Sequence, residues 1–105
     1  MANGEFEKIL VEAIDESFSS LGESPKQAIL FHLENTFKIK KQKIPNKIDS
    51  FDNALKKIFG LGADFLEMLI VKKLCEKANS DAKGLAPKEA GFAETVAAIK
   101  QMMEK

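Results

Sequence analysis

The sequence predicts an all-α protein with a compact four-helix core and a C-terminal accessory helix. Apolar residues recur every three or four positions in five separate segments, which is the spacing of one helix face. No segment has the convincing alternation of a strand. At 105 residues with 45% hydrophobic content, the chain is expected to form one domain that buries roughly two thirds of its unfolded surface.

The first predicted helix covers residues 5–21 and should have an acidic outer face. Its apolar stripe consists of Phe6, Ile9, Leu10, Ala13, Ile14, Phe18 and Leu21. Glu7, Glu12, Asp15 and Glu16 lie off that stripe. Gly22 is expected to end the helix because glycine interrupts helical patterns.

The stretch "SPKQ" predicts the start of the second helix. Ser24 is the expected N-cap, Pro25 takes the first helical position, and the Gln27 amide reaches back to the cap. Phe31 points away from the other apolar residues, so this helix is expected to be covered on two sides. Its inward face should consist of Ala28, Ile29, Leu30, Leu33 and Phe37.

The third and fourth helices are predicted to form the centre of the core. Ser50 is the expected cap of the third helix, and Gly60 is expected to end it in a left-handed conformation. The fourth helix, residues 63–78, is apolar around much of its circumference and is therefore predicted to be the central buried helix. The core is expected to form around Phe51, Leu55, Ile58, Leu66, Leu69 and Ile70.

A linker at 79–87 separates the predicted core, 5–78, from a C-terminal helix at 88–104. The apolar residues of this helix follow the four, three, four spacing of a helix-pairing seam. The members of this C-terminal stripe are Phe92, Val96, Ile99 and Met103. The stripe is expected either to dock on its own domain, which we favour, or to pair with another copy, and residues 1–83 are expected to fold without it.

Composition limits the classes of protein that fit. The sixteen basic residues are all lysines and balance sixteen acids, with net charges of −5 over residues 1–37 and +5 over residues 38–60. The absence of arginine disfavours base-specific reading of DNA. The longest apolar run, "MLIV", is too short to cross a bilayer. With a single cysteine, Cys75, and an N-terminal "MANGEFEK" unlike a secretory signal, a cytoplasmic location is expected.

Residues 38–47, "KIKKQKIPNK", form a lysine-rich connector that allows three interpretations. They could bind nucleic acid through phosphates, they could be a solvated connector anchored by Ile39, Ile44 and Ile48, or they could meet an acidic surface of a partner or another copy. The solvated connector is favoured over nucleic-acid binding, because runs of charge are usually exposed faces. The candidate contact residues are Lys38, Lys40, Lys41, Lys43 and Lys47.

No catalytic, metal or cofactor site is predicted. The chain has one histidine, His32, and one cysteine, which is too few for a metal centre with ordinary ligand spacing. His32 is interpreted as structural. The "GLGAD" turn lacks the strand, the third glycine and the lysine–serine pair of phosphate-binding loops. The expected protein is therefore not an enzyme.

The run "LFHLENTFKIKKQKIPNKIDSFDNALKKIFGLGADFLEMLIVKKL", residues 30–74, resembles the Nitrosopumilus output domain family of small archaeal helical domains. The resemblance rests on "HLE", on "KIP" and on "ALKKIFGLGADFLE", and chiefly on "IFGLGA" within that last run; at Lys38 the family is expected to have glycine. It implies a non-catalytic protein-interaction or signal-output module of an archaeal-type cytoplasmic protein, with a protein partner or self-association. The alternative is a nucleic-acid-associated regulator that binds through residues 38–47.

Overall fold

The computed structural model describes residues 4–78 and 91–104, with side chains up to residue 101. The two ranges contain five α-helices, two short 3₁₀ turns and no strand, so the predicted all-α fold with a C-terminal helix is confirmed. The 3₁₀ turns are Lys41–Asn46 and Gly60–Gly62. The helices are α1 (Glu5–Ser19), α2 (Glu23–Asn35), α3 (Ile48–Phe59), α4 (Ala63–Ala78) and α5 (Phe92–Glu104).

One hydrophobic core joins all five helices. Helix α1 packs along α4, α5 lies against α3 and α4, and α2 contacts α1 and α3. The ring of Phe51 lies near the centre, with ring centroids 6.4 Å from Phe18 and 6.1 Å from Phe92. Four of the six predicted central residues are buried, namely Phe51, Leu55, Leu66 and Ile70.

Two of the predicted central residues are less buried than expected. Ile58 is half-buried and packs against the core. Leu69 is also half-buried but lies outside the core cluster, so its predicted central position is wrong. The physical reason is that Leu66 and Ile70 face the other helices, which leaves Leu69 at the edge of the core face, one turn after the exposed Phe65.

The predicted starts of α2 and α3 also need correction. Helix α2 begins at Glu23 after Gly22, which has φ +110°, so Ser24 is already helical and is not the N-cap. The Gln27 amide donates to Glu23 Oε2 at 2.9 Å instead of returning to a serine cap. Helix α3 begins at Ile48, two residues before the predicted Ser50 cap. A glycine with positive φ makes an earlier start of α2 accessible to the chain.

The turn after α2 contains the one non-glycine residue with positive φ in the described ranges. This residue is Lys38, with φ +60°. The helix ends at Asn35, before the predicted Phe37, and the Ile39 N–H donates to Leu33 O at 2.9 Å. The left-handed backbone at Lys38 therefore turns the chain so that Ile39 enters the core.

Replacing Lys38 with glycine should stabilise the protein. A side chain in the left-handed region is unfavourable by about 1–2 kcal/mol, and glycine loses roughly 0.5–1 kcal/mol in backbone entropy. We expect Lys38→Gly to raise the free energy of unfolding by about 0.5–1 kcal/mol, measured by chemical denaturation. Lys40 is also exposed but has φ −78°, so Lys40→Gly is the matched control and should destabilise. Equal effects of the two substitutions would contradict this reading of the turn.

Helix α5 is anchored in the common core. Its first residue is Phe92, and the preceding Gly91 N–H donates to Glu94 Oε1 at 2.9 Å. This bond satisfies one of the free amides at the helix start. The predicted linker at 79–87 and the predicted start of the helix at residue 88 lie outside the described residues.

Removing α5 should make the remaining protein melt earlier. Phe92, Val96 and Ile99 are each at most 3% exposed, and burying one such side chain contributes about 1.5–3 kcal/mol. We expect residues 1–83 to lose at least about 10 °C in thermal midpoint relative to the full chain. Circular dichroism melts of the two proteins measure the difference. An unchanged midpoint would show that α5 does not dock on this core in solution.

Candidate functional site

Helix α4 carries an exposed apolar patch at its N-terminal end. The patch consists of Leu61, Phe65 and Met68, which are 98%, 73% and 55% exposed. Phe65 and Met68 are three positions apart and lie along one side of the helix, and Leu61 lies in the Gly60–Gly62 turn immediately before it. We call these three residues the α4 patch.

The α4 patch corrects the prediction that α4 is the central buried helix, because one side of this helix is exposed. One face of the helix enters the core through Ala63, Leu66, Ile70, Val71 and Leu74. The opposite side has no covering element in the described part of the chain, because α1, α3 and α5 pack on the core side. Soluble monomers rarely expose a contiguous apolar surface larger than a few hundred Å², and such a surface marks an interaction site.

Phe31 is a second exposed aromatic residue, but unlike the residues of the α4 patch it has no exposed large apolar side chain one turn away on its helix. It is 68% exposed on α2, which corrects the prediction that this side of α2 is covered. Its neighbours one turn away, Gln27 and Glu34, are polar. A single exposed apolar side chain is ordinary in soluble proteins, so Phe31 serves best as a control position.

The lysine connector is fixed to the core by its isoleucines. Ile39 and Ile44 are buried and Ile48 is half-buried, as the anchored-connector interpretation predicts. The candidate contact residues Lys38, Lys40, Lys43 and Lys47 are exposed, whereas Lys41 is half-buried. The Lys47 Nζ lies 3.5 Å from the carbonyl oxygen of Lys38. Four of the five lysines therefore point to solvent around an apolar anchor.

The acidic face predicted on α1 meets lysines of the same chain. Asp15 Oδ1 lies 3.0 Å from Lys26 Nζ and 3.2 Å from Lys41 Nζ. The hydrogen bond from Lys26, followed by that from Lys41, holds the pKa of Asp15 below its ordinary value despite some desolvation. Lys77 Nζ lies 2.6 Å from Glu16 Oε2. Some of the acidic side chains of α1 are therefore paired with lysines of the same molecule.

A buried carboxyl pair joins α3 to α4. Glu67 is only 4% exposed, and neither its Oε2 nor Oδ1 of Asp52 has a hydrogen-bond partner among the described groups. Lys56 Nζ lies 3.2 Å from the other oxygen of Asp52. Burial, and then the adjoining Asp52 carboxyl, raise the pKa of Glu67 to about 8. Glu67 therefore carries a proton at neutral pH.

The carboxyl pair was not predicted, although the sequence contains a signal for it. Glu67 lies three residues before Ile70 and seven before Leu74, which places it on the core face of α4. Both unpartnered oxygens are closed off from solvent. A substrate cannot reach them unless α3 and α4 separate. The pair therefore affects the stability of the contact between these two helices.

Three of the four residues of the C-terminal stripe predicted for pairing are buried in the core of their own chain. Phe92, Val96 and Ile99 are buried against α3 and α4. The side chain of Met103, the fourth predicted member, lies outside the described residues. These three positions are therefore covered by their own chain.

His32 and Cys75 are the remaining candidates from the sequence. No group of three or more metal-ligating side chains occurs within the described ranges. His32 lies edge-on to Phe37, with ring centroids 5.7 Å apart, and its Nδ1 is 3.0 Å from Thr36 Oγ1. Cys75 is half-buried, and desolvation raises the pKa of its thiol, which lowers its reactivity.

Comparisons with known protein families, with curated proteins and with solved structures find no match. None of the helices in the described ranges combines the length and the apolar character needed to cross a membrane.

Proposed function

We propose that this chain is a non-catalytic protein-interaction module that binds its partner through the α4 patch, and that it acts as a signal-output domain in the cytoplasm. The exposure of Leu61, Phe65 and Met68 carries the proposal. Large apolar side chains kept in water in one contiguous strip are unfavourable for an isolated protein, and an interface removes them from water.

The family resemblance supports the signal-output role. Residues 30–74, which resemble the archaeal Nitrosopumilus output domain family, contain the whole α4 patch. The stretch "IFGLGA", on which the resemblance chiefly rests, includes Leu61, and Phe65 follows it within the quoted run "ALKKIFGLGADFLE". An output domain transmits a signal by contacting another protein, and an exposed apolar strip on a rigid helix suits that task.

Recovery of bound protein from the native cell extract tests the proposal. The test variant carries Phe65→Lys and Met68→Lys, and Phe31→Lys is the matched control because Phe31 is exposed to a similar degree. We expect wild type and control to recover the same partner and the patch variant to lose it. Equal recovery by all three proteins would contradict binding through the α4 patch.

The alternative function is nucleic-acid association through the lysine connector. The exposure of Lys38, Lys40, Lys43 and Lys47 favours this candidate. The connector contains no aromatic residue on which a base could stack, and Lys41 forms an ion pair with Asp15. Binding would therefore be electrostatic, independent of sequence and steeply dependent on salt.

Reversing the charges of Lys40 and Lys43 should leave stability and partner recovery unchanged. Both side chains are exposed, and such lysines usually contribute less than about 0.5 kcal/mol.

Adding Lys41→Glu should lower the free energy of unfolding by roughly 0.5–1 kcal/mol, because the new carboxylate faces Asp15. Thermal melts and a duplex-retardation assay at low salt measure the two effects. Retardation by wild type that the triple variant abolishes would favour the nucleic-acid alternative.

A further inference from the structure

The α4 patch is part of a longer exposed line along the helix. Leu61, Phe65, Met68 and Lys72 follow one another at spacings of four, three and four, and all four are exposed. This is the spacing of the seam between two paired helices. The long aliphatic stem of Lys72 allows it to extend an apolar seam while its ammonium group stays in water.

The line is complementary to itself in the antiparallel direction. Its spacing reads the same from either end, so a two-fold axis between Phe65 and Met68 exchanges these two positions and brings Lys72 of one copy towards Leu61, in the turn before α4, of the other. A second antiparallel copy then places Phe65 against Met68 of that copy, and Leu61 against its Lys72. A two-fold interface requires this self-complementarity, because one surface must serve on both sides.

Charges at the two ends of the line favour the same arrangement. Asp64 and Lys72 are exposed, and neither forms an ion pair with any residue of the described part of the chain. Asp64 lies three residues after Leu61, on the neighbouring edge of the helix. In the antiparallel pair, Lys72 of the second copy covers Leu61, and its ammonium group lies within reach of Asp64. The contact forms twice across the axis.

From this complementarity we infer that the α4 patch binds a second copy of this chain, with the two α4 helices antiparallel. The inference rests on the proposed interaction role of the α4 patch and names its partner. It also places self-association on α4, because Phe92, Val96 and Ile99 of the C-terminal stripe are buried in their own chain. A stable interface buries about 800 Å² per partner, which is more than three side chains alone supply. The dimer should therefore dissociate on dilution.

Solution mass over a concentration series is the primary test. For wild type, light scattering should give a mass that rises with concentration from 11.6 kDa towards twice that value. Phe65→Lys should weaken the association at least tenfold, since it places a charge at the centre of the seam. Phe31→Lys is the control and should leave the mass curve unchanged. A wild type that stays at 11.6 kDa up to millimolar concentration would overturn the inference.

A charge exchange tests the antiparallel arrangement. Asp64→Lys and Lys72→Asp should each weaken the dimer about tenfold at low salt, because each places like charges opposite one another. The double variant exchanges the two signs and should restore wild-type association to within about threefold. Asp64 and Lys72 are both exposed, so circular dichroism should show wild-type helicity for each variant. A double variant as weak as the single variants would overturn the antiparallel pairing.

The two proposals fail in different ways. If wild type is monomeric but the patch variant still loses the partner recovered from extract, the dimer is overturned. The proposal of an interaction module is then still supported. A dimer that Phe65→Lys does not weaken would overturn the dimer interface on α4. Loss of mass change and of partner recovery together in the patch variant supports a second copy as the recovered partner.

Discussion

Ile70→Asp should unfold the protein, whereas Leu69→Asp should leave it folded. Ile70 is fully buried in the core, and its neighbour Leu69 is half-buried outside it. At position 70 the carboxyl group must either ionise without a partner or take up a proton, and about 2–5 kcal/mol of packing is also lost. Domains of this size are stabilised by only about 5–15 kcal/mol in total.

Leu69→Asp has a smaller effect because the new carboxylate reaches water. We expect a loss of about 1–2 kcal/mol from the apolar contacts that the half-buried leucine makes. Far-UV circular dichroism and thermal melts of the two variants, with Ile70→Val as a conservative control, measure the difference. A folded Ile70→Asp protein or an unfolded Leu69→Asp protein would show that α4 is rotated relative to the present structure.

Glu67→Gln should stabilise the protein and remove most of its pH dependence between about pH 5 and 8. The pKa of native Glu67 is about 8, whereas its ordinary value is 4.5. Between these values the native protein holds a proton that the unfolded chain has released, so each rise in pH favours unfolding. The slope approaches 1.4 kcal/mol per pH unit for one full proton. Stability should therefore fall as pH rises towards 8 and level off above it.

The glutamine amide imitates the protonated carboxyl group without binding a proton. It can donate to Asp52, so we expect a gain on the order of 2 kcal/mol at pH 7 and little change at pH 4. Glu76→Gln on the exposed side of α4 is the matched control. Chemical denaturation at pH 4, 5, 7 and 9 measures all three proteins. A Glu67→Gln profile parallel to that of wild type would refute the buried protonated pair.

Periodicity in the sequence was sufficient to predict the helices and most of the core. The regular spacing of Phe51 and Leu55 and the isolated isoleucines at 39 and 44 identified residues that the structure buries. Gly60 ends α3 with a positive φ, as expected, but its ψ of −127° differs from the left-handed helical conformation that was predicted. These features depend on local spacing or on one glycine, so they can be predicted from the sequence without knowledge of how the helices pack.

The α4 patch could not be predicted because α4 is apolar on more than one side. Composition shows that Phe65 and Met68 could be buried, but only the placement of the neighbouring helices decides which side they cover. The start of α2 was missed for a related reason, because Gly22 competes with Ser24 as the helix boundary. Glu67 was overlooked because carboxylates are rarely buried, although its spacing from Ile70 and Leu74 matched the core face.

The most direct test of the central proposal is to map where the protein is contacted in its native extract. Isotope-labelled protein is added to the extract, and the broadening of each backbone amide signal is measured by nuclear magnetic resonance. Contact through the α4 patch predicts broadening centred on residues 57–76, with residues 38–47 and 92–101 retaining sharp signals. Broadening centred on the lysine connector at 38–47, with residues 57–76 unaffected, would contradict it.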